Sequence, residues 1–155
     1  MYKIISLLSV LVVGCTPTQH IVMRDGKIQE AKVVALDAPR EPYTLEIEKR
    51  LKEAGFKVLR VPTRTLVKDQ TSETRTEIYK EAEARYVVSL IADIRDRCFA
   101  GGYNFENFTA ELVDVKTNET VVSYSDNGYS ENCTPLSGEI YQEATNAISG
   151  AWAKQ

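Results

Sequence analysis

The strongest constraint on the fold is the apolar run YVVSLIADI at residues 86–94. It carries large side chains on both faces at its start, which is typical of a central strand buried on both sides. Two runs of alternating polarity follow at 105–116 and 120–125, and the segment KTNET between them offers turn chemistry at Thr117 and Asn118. The sequence therefore predicts an antiparallel meander of three consecutive strands.

The segments before this meander alternate between strand and helix patterns. Short strands are predicted at 32–36 and 56–61, where β-branched and apolar residues end at a proline or an Asp-Ala-Pro segment. Between them, residues 43–54 have the spacing of an amphipathic helix, with Pro42 near its start and Gly55 just past its end.

Two further helices complete the predicted order of elements. A charged and weakly apolar helix is predicted at about 72–84, where it would cover an edge or face of the sheet. The closing helix, at 140–152, places its apolar residues on one face. The order β-α-β-α-β-β-β-α predicts an α/β fold, a two-layer sandwich with a five-stranded mixed sheet.

The N-terminal segment has the pattern of an export signal. Residues 4–13 are apolar except for Ser6 and Ser9, and this run is too short to span a bilayer, which needs about 20 apolar residues. Directly after it, the sequence VVGC at 12–15 resembles the lipobox of bacterial lipoproteins. The resemblance implies cleavage before Cys15 and attachment of diacylglycerol and palmitate to that cysteine. An uncleaved anchor with a free cysteine and a conventional signal peptide cut nearby stay open as alternatives.

The residue after the cysteine bears on which membrane holds the protein. Gram-negative lipoproteins that remain in the inner membrane commonly have aspartate at this position, whereas this chain has Thr16. The resemblance therefore implies a lipid anchor in the bacterial outer membrane, with the domain facing the periplasm.

The length and composition indicate a single domain. A chain of 155 residues with 43% hydrophobic residues retains enough length for one core after a leader is removed. We expect a signal peptide at 1–14, a lipidated N-terminus and tether at 15–30, and one globular α/β domain at 31–155. The net charge is −3 and the basic residues are scattered, which disfavours nucleic acid as a partner. No cofactor or metal site is predicted.

The two remaining cysteines favour a disulfide. With Cys15 lipidated, Cys98 and Cys133 form an even pair in an oxidising compartment. The predicted meander supports the pairing, because its first and last strands run in the same direction and therefore finish at the same end of the sheet. Closing this loop would stabilise the fold by about 4 kcal/mol in the chain-entropy model. The alternative is that both thiols are unpaired. A zinc site would lack further ligands, because the one histidine, His20, lies in the predicted tether.

Behind its lipobox, this element order resembles small envelope lipoproteins whose domains are similar to the N-terminal domain of TolB and the periplasmic part of CsgG-type secretion lipoproteins. The features that carry the resemblance are the strand at 86–94, the hairpin AELVDVKTNETVVSYS at 110–125 and a final helix after Pro135-Leu136. The resemblance implies envelope assembly, secretion or exopolysaccharide export, through rings or through contacts with partner proteins.

One charged cluster is a candidate for acid–base chemistry. Asp93, Arg95, Asp96 and Arg97 follow one another at the end of the central strand, and paired carboxylates near arginines can transfer protons. A solvated edge of salt-bridged charges is the favoured interpretation, so no catalytic residue and no enzymatic activity are predicted. Gly101-Gly102 lacks the context of a phosphate-binding loop and is interpreted as a turn.

An aromatic group near the two cysteines is a candidate binding surface. It consists of Phe99, Tyr103, Phe105, Tyr124 and Tyr129, which could stack on sugar rings or seat a partner, or could pack locally around the bridge. The favoured function is a non-enzymatic, membrane-tethered module that binds envelope proteins or itself. The alternative is a glycan- or peptidoglycan-binding lipoprotein that uses this aromatic surface.

Intact mass spectrometry tests both covalent predictions. For protein purified from bacterial membranes, we expect a mature chain that begins at Cys15 and carries acyl mass. Because a disulfide blocks its sulfurs, Cys98 and Cys133 should take up alkylating reagent only after reduction. An unmodified Cys15 would contradict the anchor, and free alkylation of the other two cysteines would contradict the bridge.

Overall fold

Residues 19–60 and 84–153 are described by the structure, which is a computed structural model. The described residues contain six strands and two helices. These are β1 (His20–Met23), β2 (Val33–Asp37), α1 (Pro42–Glu53), β3 (Lys57–Arg60), β4 (Tyr86–Arg97), β5 (Tyr103–Asp114), β6 (Glu119–Tyr129) and α2 (Ile140–Ser149).

All six strands belong to one mixed sheet with the spatial order β1-β6-β5-β4-β2-β3. Strand β2 runs parallel to both β3 and β4, whereas β4, β5, β6 and β1 pair in antiparallel fashion. The predicted meander is therefore confirmed, and so is a mixed α/β fold built on one sheet. In the turn between β5 and β6, Asn118 has a φ of 55°, a left-handed conformation that asparagine tolerates better than most residues.

The predicted five-stranded sheet is wrong, because the sheet has six strands. The additional strand, β1, lies within the segment predicted as a tether and pairs His20 with Ser125 and Met23 with Val122. Further along the same segment, Ile28 is buried and forms a bridge with Trp152. A four-residue strand is too short to show periodicity, and its partner lies about a hundred residues away along the chain. The helix predicted at 72–84 lies, apart from its last residue, outside the described residues.

Helix α1 forms where its sequence spacing predicts. Tyr43, Ile47 and Leu51 are buried on one face. Pro42 occupies the first turn, where no intrahelical donor is lost, and Gly55 ends the helix with a φ of 87°. Among the described residues, neither helix is long and apolar enough to cross a membrane.

The core lies between the sheet and the two helices, and aromatic rings dominate it. The ring of Phe108 on β5 meets Tyr43 of α1 at 6.2 Å and Tyr141 of α2 at 5.9 Å between centroids. At the other end of the helices, Trp152 meets Phe56 at 4.9 Å. The predicted closing helix ends earlier than expected, at Ser149, and Trp152 follows it as part of the bridge to Ile28.

Truncating the central ring should destabilise the protein strongly. Phe108 is fully buried, so Phe108→Ala removes its ring contacts with Tyr43 and Tyr141 and leaves a cavity. We expect the free energy of unfolding in urea to fall by about 3–5 kcal/mol. Leu45→Ala is the matched control, because Leu45 is 49% exposed on α1, and its loss should stay below about 1 kcal/mol. Equal losses for both variants would contradict this packing.

Candidate functional site

The cysteine rim, defined as residues 98–102 and 130–138, is the end of the sheet where β4 turns into β5 and the chain leaves β6. The antiparallel meander brings Cys98 and Cys133 together across 35 residues of sequence. Their sulfur atoms are at bonding distance and their Cα atoms lie 5.3 Å apart, within the usual range of about 4.4–6.8 Å for a disulfide. The geometry therefore suits the predicted bridge.

The backbone of the rim is closely packed on the β4–β5 side. The amide of Cys98 donates to the carbonyl of Gly102 at 2.9 Å, and the amide of Gly101 donates back to the carbonyl of Cys98 at 3.0 Å. A side chain at Gly102 would place Cβ only 2.6 Å from the carbonyl carbon of Asn132, so glycine is required by this close approach. The prediction that Gly101-Gly102 forms a turn is confirmed.

Ser130 holds the second half of the rim against β5. Its fully buried hydroxyl accepts from the amide of Tyr103 at 2.9 Å, and its own amide donates to the carbonyl of Tyr103 at 2.8 Å. The amide of Cys133 in turn donates to the Ser130 carbonyl at 3.1 Å. This serine could not be predicted from the sequence, because its partner is distant along the chain and no local pattern marks it.

The five aromatic residues of the predicted surface do not share one exposed face. Tyr103, Phe105 and Tyr124 are buried, because they lie on the face of β5 and β6 that the helices cover. Tyr129 is half-buried, and Phe99 alone of the five is fully exposed. Local packing, the simpler interpretation, therefore holds for three of the five rings.

The charged cluster at the end of β4 is exposed to solvent. A bulge interrupts the register with β5 near Asp93 and Ile94, so the side chains at this end of β4 do not alternate strictly between the two faces. Arg95 comes within 3.9 Å of Glu106, and both side chains are more than half exposed. Within 19–60 and 84–153, no group of three or more His, Cys, Asp or Glu side chains could hold a metal ion.

A second polar group lies between β6 and α2. The hydroxyl of Tyr124 donates to Glu143 at 3.2 Å and lies 3.4 Å from Asp126. Burial raises the pKa of Glu143, and the hydrogen bond from Tyr124 opposes that rise. A raised carboxyl pKa occurs at catalytic sites. Here, however, the Glu143 carboxyl is hydrogen-bonded to Tyr124, which is fully buried in the core. We interpret it as a contact that fixes α2 on β6.

The opposite end of the sheet carries a buried ion pair. The carboxylate of Asp114 is fully buried and accepts from the guanidinium of Arg85 at 2.7 and 3.1 Å and from the amide of Lys116 at 3.0 Å. Burial raises the pKa of Asp114, but the hydrogen bonds from Arg85 and Lys116 outweigh it and hold this pKa below its ordinary value. Arg85 also pairs with Glu30.

A cavity of about 240 Å³ adjoins this pair. Its basic side chains already have partners, since Arg24 pairs with Glu119 at 2.8 Å and Lys27 donates to the carbonyl of Gly150. These contacts account for the basic side chains of the cavity without a ligand.

Comparison with known proteins supports the fold and gives no sequence family. No protein-family model matches the chain, and no curated protein matches it. A PelC variant from Paraburkholderia phytofirmans, solved as a dodecamer, is 18% identical with a TM-score of 0.59, over 90% of this chain and 100% of PelC. A second PelC dodecamer in another crystal form is 19% identical with a TM-score of 0.55, over the same shares of the two chains.

TolB from Acinetobacter baumannii is similar over 88% of this chain and 31% of its own, with 13% identity and a TM-score of 0.50. The TolB part of the predicted resemblance is therefore confirmed at the level of the fold, and the CsgG-type part stays a prediction.

Breaking the buried ion pair should destabilise the protein in a way that depends on pH. Arg85→Gln leaves the buried Asp114 carboxylate without its guanidinium, and we expect a loss of about 2–3 kcal/mol in the free energy of unfolding at pH 7. The pKa of Asp114 is lowered in the folded state, so its stabilisation is present above the unfolded pKa of about 3.9 and disappears as pH falls below it.

The difference between wild type and Arg85→Gln should therefore shrink as urea titrations are repeated from pH 7 towards pH 2. Arg95→Gln, which removes an exposed ion pair, is the control and should change stability by less than about 0.5 kcal/mol at every pH. A difference for Arg85→Gln that stays constant down to pH 2 would contradict the role assigned to Asp114.

Proposed function

We propose that this chain is a lipid-anchored, non-enzymatic protein of the bacterial envelope that works by assembling with further copies of itself. In this proposal, lipid on Cys15 holds it to the outer membrane, the domain faces the periplasm, and a disulfide joins Cys98 and Cys133. The envelope location is supported by the lipobox-like sequence at 12–15, and the oxidising compartment it implies agrees with the paired sulfurs.

The observation that carries the self-assembly is the likeness to PelC. The similarity covers the whole PelC chain and 90% of this one, and both PelC structures are dodecamers. At 18% and 19% identity the likeness shows the fold alone, so a ring of this chain is part of the proposal.

The β1 edge of the sheet has features suited to assembly. Strand β1 is an edge strand among the strands that the structure describes, and the backbone groups of an edge strand can pair with a further strand. Two apolar side chains on β1, Ile21 and Val22, are 48% and 61% exposed. An open edge with exposed apolar side chains is a surface on which a second copy can pack.

The other functions considered from the sequence lose their support. Glycan or peptidoglycan binding depended on the aromatic surface, and three of its five rings lie in the core. Acid–base chemistry depended on Asp93 and Asp96, which are exposed on a bulged strand end. The favoured role is therefore one of binding and assembly.

Native mass spectrometry of the lipidated protein, released from detergent, tests this function. We expect a defined oligomer of the mature chain, and a monomer at every concentration would contradict the proposal. A lysine on an edge strand disfavours pairing with another chain. Val22→Lys should therefore weaken association on the order of tenfold. Thr117→Lys, in the exposed β5–β6 turn, is the control and should leave the oligomer unchanged.

A further inference from the structure

Two exposed apolar side chains project from the cysteine rim, one from each of its segments. Phe99 directly follows Cys98 and is fully exposed, and Leu136 is 58% exposed three residues after Cys133. The hydrogen bonds between Cys98, Gly101 and Gly102 hold the Phe99 turn in place. A phenyl ring presented to water on a fixed turn gains no burial within the domain, so it would gain free energy from contact with an apolar surface outside it.

The path of the chain into β1 shows which side of the domain faces the anchor. Because β1 is antiparallel to β6, the N-terminal end of β1 points towards Tyr129 and the cysteine rim. From Ser125 to Tyr129, four residue steps of a strand cover about 13 Å. From His20 back to Cys15, five steps reach at most about 18 Å even when fully extended.

These two lengths set an upper limit on how far Cys15 can lie beyond the rim. Its backbone can pass the level of the rim by only about 5 Å, the difference between the two distances. With lipid on Cys15 in the membrane, the part of the domain at the membrane surface lies within about 18 Å of His20, and the rim is within that distance. The turn between β5 and β6, at 115–118, lies at the far end of β5, which is roughly 35 Å long.

We propose that the cysteine rim is the membrane-facing end of the domain and that Phe99, with Leu136, inserts into the lipid at the headgroup boundary. This inference rests on the proposed lipidation of Cys15. Aromatic and apolar side chains at this depth are typical of proteins held at a membrane interface.

The charges beside the rim agree with this orientation. The exposed charges at the end of β4 are two acidic and two basic side chains, which sum to zero. A zwitterionic lipid surface therefore meets no net charge from them. The aliphatic stems of Arg95 and Arg97 can lie along the membrane surface while their guanidinium groups stay hydrated.

Fluorescence quenching by brominated lipid tests the orientation. The lipidated full chain would be reconstituted into phosphatidylcholine vesicles with or without bromine on the acyl chains. Phe99→Trp places a reporter at the rim, and Thr117→Trp is the matched control in the exposed turn at the far end. The native Trp152 is buried and contributes the same background to every variant. Since Phe99 is fully exposed, its replacement leaves the core intact.

We expect bromine to quench the added emission of Phe99→Trp at least twofold more than that of Thr117→Trp. Equal quenching of the two variants, in protein that floats with the vesicles, would overturn the membrane-facing rim and leave the anchor standing. Protein that fails to float with the vesicles would overturn the proposed anchor itself, and this inference with it. Emission of Phe99→Trp that is blue-shifted but insensitive to bromine would place the ring against a second copy and would also overturn the inference.

Discussion

The contact of Phe108 with one ring from each helix, Tyr43 and Tyr141, joins both helices to β5. Strand β5 is the middle strand of the antiparallel meander, so its register decides which side chains of β4 and β6 face the helices. A slip of one residue would turn the buried set to the other face, and the three-ring contact makes such a slip costly. The positions of Tyr103 at the rim and Asp114 at the far end both follow from it.

The two ends of the meander are stabilised by different chemistry. At the rim, Cys98 and Cys133 come together beside a serine that is hydrogen-bonded to the β5 backbone. At the other end, the buried Asp114 carboxylate depends on Arg85. With the proposed disulfide formed, a change in redox state would act on the first end, whereas acid would act on the second.

Local patterns in the sequence were sufficient wherever neighbours along the chain decide the structure. Helix α1 follows from the spacing of Tyr43, Ile47 and Leu51, and the meander follows from alternating runs with turn residues between them. Strand β1 could not be predicted, because four residues carry no period and pairing with β6 is a long-range contact.

The candidate site was predicted only in part, and for a physical reason. The number of cysteines and the order of the strands were sufficient to predict that Cys98 and Cys133 lie at the same end of the sheet. The burial of Phe105 on the same face as Phe108 could not be predicted, because residues three apart face opposite sides of a regular strand. A shift in register between them places both rings in the core. Irregularities of this kind depend on the whole sheet and leave no mark in a local pattern.

The direction of β1 also decides how the domain bears mechanical load. Hydrogen bonds of an antiparallel pair lie perpendicular to the strands. A pull on the chain ahead of His20, directed along β1, therefore loads the bonds to β6 together, in shear, and does not open them one at a time. A strand of only four residues can in this way transmit tension from its N-terminal side into the centre of the sheet.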